Sequence, residues 1–490
     1  MTEPYPSPSS KALHDSEALR EAGHPLVDRM AEYLAGVESM PVSTRLSPRD
    51  LAARFAEPLP VDGKPAGEVW SDVWEMVVPD AIHLAHPMYM GHQVAPPLPH
   101  AVLADAMIGL LNNSIAVWEM SPTGTMVEAQ VIRWFVQLLG WPATADGTLV
   151  SGGSVANLTG LLAAREARFP GCWRDGVART KDAERAVLLV SGHSHYSVER
   201  TAGLAGLGSD AVVSVPERDG RMDVAALEDV IAAVRREGRI PFAVSATSGS
   251  TATGLFDDLT AVADVCAREG VWMHVDAAHG GSFLLSERLR GLLAGIERAD
   301  SVAWDPHKMM WMPIAAGAVL VRDRRHLDAA FQQKAPYLFH PRPSEERSRD
   351  TGQRTLQCSR RFDALKVWVC LRHYGAAHFG ALLDKTVRNT RALHTLLTAA
   401  PDFEPMHEVQ GNILCFRHVP EPLRGADPGR IDAFQAELRE RWNASGRGWI
   451  TATVLEGRRV LRVTLINPHT EEHHLRALVD GLREIATSSP

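Results

Sequence analysis

The side chains of Lys308 and Asp276 have complementary chemistry. Lys308 closes the segment DPHK, and Asp276 lies upstream in VDAAHGG, at the end of an apolar run. A lysine amine condenses with an aldehyde to form an imine, and a carboxylate beside a pyridine nitrogen favours the protonated form of that nitrogen. Pyridoxal 5'-phosphate (PLP) requires both groups, because its aldehyde binds a lysine and its protonated ring accepts electrons. The pair therefore predicts an enzyme that uses this cofactor.

A third segment, SGGSVANL at 151–158, places two glycines and a serine between a predicted strand and a predicted helix. Backbone N–H groups converge there at a helix N-terminus and can bind a phosphate. A tight turn with an N-cap residue is the commoner explanation of such a segment by itself. Together with Lys308 and Asp276, the segment favours the phosphate interpretation.

His195 follows the next predicted strand, in the segment SGHSHYS. A flat imidazole at this place can stack on a pyridine ring. Two alternatives stay open: His193 is a competing candidate, and a surface or helix-capping histidine has the same sequence pattern. Ser250, in the segment GST after another strand, can add a hydroxyl to the site, although structural turns use the same residues.

Arg462 is a cation inside the apolar strand pattern VLRVTL. A charge buried in a strand without a partner is costly, so the arginine requires an anion nearby. That anion is either a substrate carboxylate or a carboxylate side chain of the protein, and the sequence leaves both open.

Short β-rich runs alternate with amphipathic helices from residue 148 onward. This alternation predicts a largely parallel sheet covered by helices, with ligands at the carboxyl ends of the strands. The candidate motifs all follow such strands. The predicted strands are 148–151, 186–191, 211–215, 242–246, 272–275, 301–304 and 316–321, with helices at 224–237 and 259–269 between them.

The flanking segments predict two further units. Apolar residues at helical spacing over 12–36, followed by a proline-punctuated stretch, indicate an arm that packs on another surface. Further helices are predicted at 98–111, 124–139, 364–374 and 471–485, and strands at 413–416 and 459–466. We expect an N-terminal helical arm over 1–97, a large cofactor-binding domain over 98–375 and a small C-terminal α+β domain over 376–490. The polar segment 336–354 is a candidate lid.

Bulk composition narrows the function classes. The 490 residues are 45% hydrophobic and 22% charged, which is ordinary for a soluble globular protein. A net charge of -8 with mixed signs provides no basic stripe for nucleic acid or anionic lipid. Five widely spaced cysteines predict neither a disulfide framework nor a zinc site, so we expect no metal and a reducing, cytoplasmic location. Neither a leader peptide nor a membrane span is expected.

In combination, these motifs resemble the group II pyridoxal-phosphate-dependent amino-acid decarboxylases. That family contains glutamate, aspartate, cysteine-sulfinate, diaminobutyrate and aromatic-amino-acid decarboxylases. The resemblance extends over nearly the whole chain, and residues 350–363 are most similar to the glutamate and cysteine-sulfinate branch. The motifs follow the family's order: Gly23-His24 with Val27-Asp28 and Tyr33, His86-Pro87 with Tyr89, SGGSVANL, SHYSVER, HVDAAHGG, DSVAWDPHKMM, and DTG with QC and RFD.

The resemblance implies an α/β, aspartate-aminotransferase-like fold (PLP fold type I), with a mainly parallel central sheet. It implies an obligate homodimer in which the N-terminal arm wraps the partner. It also implies a lyase of amino-acid metabolism that converts an L-amino acid to its amine and CO2, through an external aldimine and a quinonoid. The implied roles are Lys308 as the imine lysine, Asp276 beside the ring nitrogen, His195 stacked on the ring, Gly153, Ser154 and His307 around the phosphate, Ala278 under the ring, and His92 near the substrate.

One position departs from the family pattern. Many members have a loop tyrosine before Asp-Thr-Gly, whereas this chain has Arg349, which stays protonated and is a poor proton donor. Three explanations stay open: His195 or another group protonates the quinonoid, Tyr337 moves in, or the quinonoid reacts with dioxygen. We expect decarboxylation with protonation by His195, and decarboxylation-coupled oxidative deamination as the alternative.

Two further functions are compatible with these residues. Transamination or another PLP reaction uses the same fold and cofactor. A scaffold that has lost activity would explain the missing tyrosine, but the intact Lys308 and Asp276 argue against it. The charges of Arg349 and Arg462 favour an acidic side chain, and we expect a small acidic or diamino acid rather than a large aromatic substrate.

Overall fold

The computed structural model describes residues 15–44, 46–331, 333–341 and 349–488. Its strands β1 to β13 are, in chain order, Asp146–Val150, Ala186–Ser191, Val212–Val215, Glu217–Arg218, Arg221–Met222, Ile240–Thr247, Trp272–Asp276, Ser301–Trp304, Gly317–Val321, Phe403–Pro405, Ile413–His418, Thr451–Leu455 and Arg458–Thr464. The helices α1 to α16 are Ser16–Gly36, Pro48–Phe55, Ala66–Asp72, Pro99–Leu111, Pro122–Leu138, Gly153–Arg168, Cys172–Asp175, Tyr196–Leu204, Val224–Arg236, Leu259–Glu269, Pro306–Met309, Arg325–Ala330, Ala364–Tyr374, Ala376–Thr398, Pro428–Ala444 and Glu472–Thr487.

A seven-stranded sheet forms the centre of the large domain, in the order β1-β9-β8-β7-β6-β2-β3. Strands β8, β7, β6, β2 and β3 pair in parallel, and β9 pairs antiparallel with both β8 and β1. The sequence prediction of a mainly parallel sheet is therefore confirmed, and each predicted strand of this sheet is present. Because β1 and β9 are joined antiparallel at one edge, only that edge departs from the parallel pattern.

The helix between β6 and β7, α10, shows why the bounds of a helix can be predicted from the sequence. Asp258 caps α10 by accepting a hydrogen bond from the Ala261 N–H at 3.0 Å, and Gly270 ends the helix with a left-handed φ of 63°. An aspartate N-cap and a glycine after the last turn are standard helix boundary signals. Local chemistry therefore determines both ends, and the predicted bounds 259–269 match those of α10.

The ends of three neighbouring strands lie at one edge of the central sheet. Thr247, the last residue of β6, is in register with Asp276, the last residue of β7, and Asp276 is in register with Ala303 of β8. The loops that follow these strands therefore leave the sheet side by side. This register positions the candidate site.

The C-terminal unit is a four-stranded antiparallel sheet in the order β10-β11-β13-β12, covered by α14, α15 and α16. Part of the N-terminal region packs into the same core, because Val42, Met88 and Tyr89 belong to its apolar cluster. The Met90 N–H donates to the Trp449 carbonyl at 2.9 Å. Residues 83–92 of the expected arm therefore lie on the small domain of their own chain.

Helix α1 has a different environment, because none of its 21 residues is buried. The sequence prediction began this helix at residue 12, and residues 12–14 lie outside the described part of the chain. Among the described residues, no helix combines the length and the apolar character needed to cross a lipid bilayer.

A buried ion pair fastens the segment that precedes α13. Arg360 donates from both terminal nitrogens to the carboxylate of Glu128 on α5, at 3.1 and 2.9 Å. The arginine also donates to the Leu149 carbonyl at 2.7 Å and to Thr351 Oγ1 at 2.9 Å. These contacts of Arg360, which we call the clamp, connect α5, β1 and the end of the candidate lid. Of that lid, residues 342–348 lie outside the described residues.

Candidate cofactor site at the carboxyl ends of the strands

A cavity of about 370 Å³ opens where β1, β2, β6, β7 and β8 end. Its size lies within the range of small-molecule sites. Of the predicted cofactor residues it brings together Gly153, Ser154, His195, Asp276, Ala278, His307 and Lys308. The rest of the lining consists of Ser151, Gly152, Val155, Asn157, Thr247, Gly249, Thr251, His279, Asp305 and Ile314.

Asp276 ends β7 with a carboxylate that accepts hydrogen bonds on both oxygens. Asn157 Nδ2 donates to Oδ2 at 2.9 Å, and the Ala278 N–H donates to Oδ1 at 3.1 Å. The residue is buried, with 7% of its surface exposed. These two donors fix the orientation of the carboxylate, and a carboxylate beside a pyridine nitrogen stabilises the protonated form of that nitrogen.

The orientation of Asn157 follows from a chain of hydrogen bonds behind Asp276. The Trp272 indole N–H, which can only donate, bonds to Ser301 Oγ at 2.8 Å. The proton of the neutral His274 ring is on Nε2, because Asn157 Oδ1 on that side can only accept, and Nδ1 therefore accepts from the Ser301 hydroxyl at 2.8 Å. The Nε2–H donates to Asn157 Oδ1 at 2.9 Å, and the amide nitrogen of Asn157 faces Asp276.

Burial lowers the pKa of His274 to about 4. The imidazole is therefore neutral at neutral pH, as the directions of its two hydrogen bonds require. The whole chain from Trp272 to Asp276 consists of neutral donors aligned toward one carboxylate. Aligned hydrogen bonds in a buried site polarise one another, so the chain holds the Asn157 donor rigidly against Asp276.

His195 is the N-cap of α8 and lines the cavity. Its Nδ1 accepts a hydrogen bond from the Ser197 N–H at 3.3 Å and lies 2.8 Å from Ser197 Oγ. In the neutral ring the proton therefore resides on Nε2. Burial lowers the pKa of His195. The competing candidate, His193, points elsewhere, because it pairs with Glu217 at 3.2 Å and lines a different cavity.

Lys308 lies on the one-turn helix α11, directly after β8. Its Nζ atom is 3.3 Å from Asp305 Oδ2, and its side chain is 19% exposed. His307 Nδ1 accepts a hydrogen bond from the Ala316 N–H at 3.1 Å, so Nε2 of the neutral ring bears the proton and faces Asp305 Oδ2 at 3.4 Å. Burial lowers the pKa of His307.

The turn before α6 requires glycine because a side chain would clash there. A turn without side chains lets backbone N–H groups approach a phosphate closely. A Cβ atom on Gly153 would lie 2.9 Å from Asp305 Oδ2 and 3.0 Å from the Ala278 Cβ. Helix α6 begins at Gly153, so its first N–H groups face the cavity edge that Ser154 also lines. Free N–H groups at a helix start bind anions. Together with Lys308 and Asp276, this turn matches the aldehyde, ring nitrogen and phosphate of PLP.

Ser250 does not belong to this lining. Its hydroxyl pairs with Thr253 Oγ1 at 2.7 Å and accepts the Thr253 N–H, within the turn that follows β6. The neighbouring residues Gly249 and Thr251 line the cavity in its place. Ser250 therefore lies outside the described lining, because its hydroxyl bonds within the turn, and Thr251 lies in the lining.

His92 and Arg462 lie together beside the cavity but not in its lining. The positive charge of Arg462 contributes to lowering the pKa of both His92 and His279, and His279 lines the cavity. Arg462 is buried, donates to Thr464 Oγ1 at 3.3 Å and has an Nε atom without a partner. The ionisable groups that act on its pKa, Cys415 and Tyr89, are not carboxylates. The structural salt bridge considered from the sequence is therefore absent among the described residues.

The loop residues considered as proton sources lie away from the lining. Tyr337 is 82% exposed, and Arg349 acts on the pKa of Asp146 at the start of β1. The loop is anchored just beyond Arg349, where Asp350 accepts the Trp118 N–H at 2.9 Å and the Gly352 N–H donates to Ala116. Arg349 therefore precedes an anchored turn and lies outside the described lining, and Asp146 forms its ion pair with Arg354, at 3.2 Å.

Sequence reasoning missed several lining residues. Asn157 and His279 lie inside quoted motifs, and Asp305 lies three residues before Lys308, but none was given a role. A signal was present for Asn157, because it follows the glycine turn by one helical turn and therefore faces the same side. Thr251 lies in the quoted segment GST, whereas Thr247 and Ile314 had no such signal, because only the folded chain brings them to the cavity.

The sequence of this chain is similar to those of known decarboxylases. A family model described as the pyridoxal-dependent decarboxylase conserved domain matches residues 48–419. The L-2,4-diaminobutyrate decarboxylase of Rhizobium meliloti (strain 1021) is 33% identical over 477 residues, which cover 96% of this chain and 93% of that protein. The cysteine sulfinic acid decarboxylase of Homo sapiens is 35% identical over 456 residues, which cover 89% of this chain and 91% of that protein.

A solved structure shows the same similarity in three dimensions. The structure of Oryza sativa TDC with PLP and tryptamine superposes with a TM-score of 0.89 at 28% sequence identity. The match covers 96% of this chain and 98% of that chain.

Proposed function

This chain belongs to the family of pyridoxal-dependent decarboxylases, and we propose that the cavity around Lys308 and Asp276 is its active site. PLP is the cofactor, and the general reaction is the decarboxylation of an amino acid. The observation that supports the site is the convergence of an amine, a doubly hydrogen-bonded carboxylate and a glycine turn on one cavity. These three groups match three separate parts of the cofactor.

We assign different parts of the cofactor to different residues of the cavity. The bound cofactor supplies an electron sink for the pair released when a bond at Cα breaks. Asp276 accepts the ring N–H, and Lys308 holds the aldehyde end until substrate replaces it. Gly153, Ser154 and His307 surround the phosphate. Ala278 and His195 flank the ring on its two faces.

We propose that Arg462, with His92 beside it, binds a carboxylate of the substrate. The support is its buried guanidinium, which meets no carboxylate of the described residues. A bound carboxylate would supply the missing charge and orient the breaking bond perpendicular to the ring. We therefore propose a small acidic or diamino L-amino acid as substrate, in preference to a large aromatic one.

We assign the return of a proton to Cα to His195. The imidazolium has protons on both ring nitrogens: Nδ1–H can donate to Ser197 Oγ, 2.8 Å away, in place of accepting the Ser197 N–H, and Nε2 then releases its proton to Cα. Because burial lowers the pKa of His195, the protonated fraction is small at neutral pH and increases as the pH falls. Protonation of the product carbon should accordingly be faster at lower pH.

The test is a panel of L-amino acids given to the purified protein with its cofactor, while amine, CO2 and hydrogen peroxide are measured. We expect equal amounts of CO2 and amine from an acidic or diamino acid. Lys308→Ala should lower turnover by at least about 10³-fold and remove the imine absorbance band at about 420 nm. Amino transfer to an α-keto acid without CO2 release would contradict the proposal.

Oxidative deamination coupled to decarboxylation is the second candidate, because Arg349 stands where many family members have the loop tyrosine and lies outside the described lining of the cavity. The same panel separates the two functions, since the oxidative reaction consumes dioxygen and releases peroxide with an aldehyde. If this reaction operates, Arg349→Tyr should shift the product from aldehyde toward amine. Peroxide at background level in the unmodified protein would exclude it.

We further propose that the protein is a homodimer formed through its N-terminal region. Large hydrophobic side chains are exposed at 23 positions of the described chain, and 16 of them lie between Leu19 and Met126. Monomers rarely expose so concentrated an apolar surface. A cytoplasmic location and the division of the chain at residues 97 and 375 stay predictions.

A further inference from the structure

A buried carboxylate lies against the turn that we assign to the phosphate. The Asp305 side chain is 2% exposed, and its Oδ2 atom lies 2.9 Å from the position of a Cβ atom on Gly153. Its Oδ1 atom is buried and has no hydrogen-bond partner among the described residues. A Cβ atom on Gly317, whose closest neighbours include backbone atoms of Gly152, would lie 2.8 Å from Oδ1. Both oxygens therefore flank the glycine turn.

The charges that face Asp305 leave the site poor in cations. Lys308 and His307 approach Oδ2 from the same turn, and His195 lines the same cavity. His307 and His195 have pKa values lowered by burial. Asp276 adds a second carboxylate to the cavity, and no arginine belongs to its described lining. Lys308 is thus the single permanent cation of the described cavity lining in one chain.

Binding of the cofactor makes this imbalance larger. A phosphate monoester has a charge of about −1.5 to −2 at neutral pH. The Lys308 nitrogen that now faces Asp305 would at the same time turn to the cofactor aldehyde. An ionised Asp305 and a phosphate dianion would then share one buried turn, and like charges in such a site disfavour ionisation of one of them.

We propose that Asp305 takes up one proton from solvent when the cofactor phosphate binds, and that its carboxyl O–H then donates a hydrogen bond to a phosphate oxygen. The proton moves from solvent to a carboxylate oxygen, and no other bond is made or broken in this step. The proposal rests on the assignment of the Gly152–Gly153 turn to the phosphate. It makes cofactor affinity depend on pH through a residue that has no part in decarboxylation.

The test compares PLP with pyridoxal, which has the same aldehyde and ring but no phosphate. Calorimetric titration of the apoprotein in buffers of different ionisation enthalpy, at a pH where free PLP is a dianion, measures proton uptake. We expect uptake of about one more proton with PLP than with pyridoxal, and a PLP affinity that falls by up to about tenfold per pH unit as the pH rises. The comparison with pyridoxal cancels protons exchanged by Lys308.

Asp305→Asn is the matched variant, because an amide keeps the shape and a donor but does not titrate. Its proton uptake should be equal for PLP and pyridoxal, and its PLP affinity should be independent of pH over the same range. If the variant retains the extra proton, the phosphate itself is protonated and the proposal is wrong. An equal uptake with both ligands in the unmodified protein contradicts it without any variant.

These measurements use no substrate, so they are independent of the reaction proposed above. A protein that shows the phosphate-dependent proton but releases no CO2 would support this inference and refute the proposed function. A decarboxylase without the phosphate-dependent proton would do the reverse.

Discussion

Asp276 accepts hydrogen bonds on both carboxylate oxygens, one of them from Asn157, whose orientation is determined by His274, Ser301 and Trp272. Asn157 Oδ1 can only accept, so His274 Nε2–H donates to it and Nδ1 of the neutral ring accepts from the Ser301 hydroxyl. Asn157 also donates to Ser197 Oγ at 3.1 Å, and that hydroxyl contacts His195. At the residue scale, one amide therefore positions both Asp276 and, through Ser197, His195, the residues that we propose for the ring nitrogen and for stacking on the ring.

Replacement of this amide tests its role. Asn157→Leu keeps a similar volume but leaves Asp276 Oδ2 and Ser197 without a donor, and a lost partner of a buried polar group costs about 1–3 kcal/mol. We expect PLP affinity to fall by roughly 5- to 150-fold, measured by titration of the apoprotein.

The control variant is Asn443→Leu, which removes a buried asparagine that bonds to both backbone groups of Ile450 in the small domain. It should lower thermal stability without changing PLP affinity. Equal effects of the two variants on PLP affinity would show that Asn157 has only a general structural role.

At the scale of elements, the site depends on short segments whose positions are fixed by hydrogen bonds and ion pairs to other parts of the chain. Helix α11 has only four residues, and the His307 N–H bonds to the Ala316 carbonyl at 3.0 Å to fix its direction. The segment before α13 is held by the pair of Arg360 and Glu128, which have 4% and 2% side-chain exposure. Thr148 Oγ1 also donates to Glu128, at 2.9 Å. The clamp therefore connects the anchored end of the candidate lid to the central sheet.

Arg360→Ala should be strongly destabilising, because it leaves the Glu128 carboxylate buried without its cation. Breaking a buried pair in this way costs about 3–5 kcal/mol, and urea unfolding measures the loss. Arg447→Ala is the control, since its pair with Glu484 is 48% and 64% exposed, and such surface pairs contribute about 1 kcal/mol or less. Similar midpoints for the two variants would show that the clamp does not stabilise the fold.

At the scale of the whole molecule, the distribution of apolar surface is uneven. Helix α1 buries none of its residues, and Leu59 and Val61 in the following stretch are 88% and 92% exposed. Helix α4 adds Leu110, which is 63% exposed. A second copy of the chain is the partner that would cover this surface in the proposed homodimer, as the resemblance to the family implies.

Leu110→Glu should weaken the dimer, because a carboxylate would be buried in an apolar contact. A cost of about 2 kcal/mol or more corresponds to at least about 30-fold weaker association. Light scattering after size-exclusion chromatography would detect the shift to monomer. Val454→Glu, at a similarly exposed position of the small sheet, should leave the dimer intact. A dimer that tolerates Leu110→Glu would place the interface elsewhere.

The sequence by itself determined the elements and the chemistry of this protein. Strand and helix periods, an aspartate cap and a glycine stop are local signals, so the bounds of α10 and of the central strands were readable. Lys308 and Asp276 were identifiable because few other reactions require that pair of groups. The fold class followed from the alternation of strands and helices together with the family resemblance.

Only the tertiary structure decided which neighbours share the cavity and how they are connected. It placed Ser250 in a turn and Thr251 in the lining, paired His193 with Glu217, and put Asp305 against the phosphate turn. These outcomes depend on contacts between residues far apart in sequence. They also depend on which of several possible hydrogen-bond partners lies within bonding distance of each polar atom in the folded chain. The identity of a side chain determines which chemical reactions and hydrogen bonds are open to it. Strand register and packing determine which other side chains it contacts.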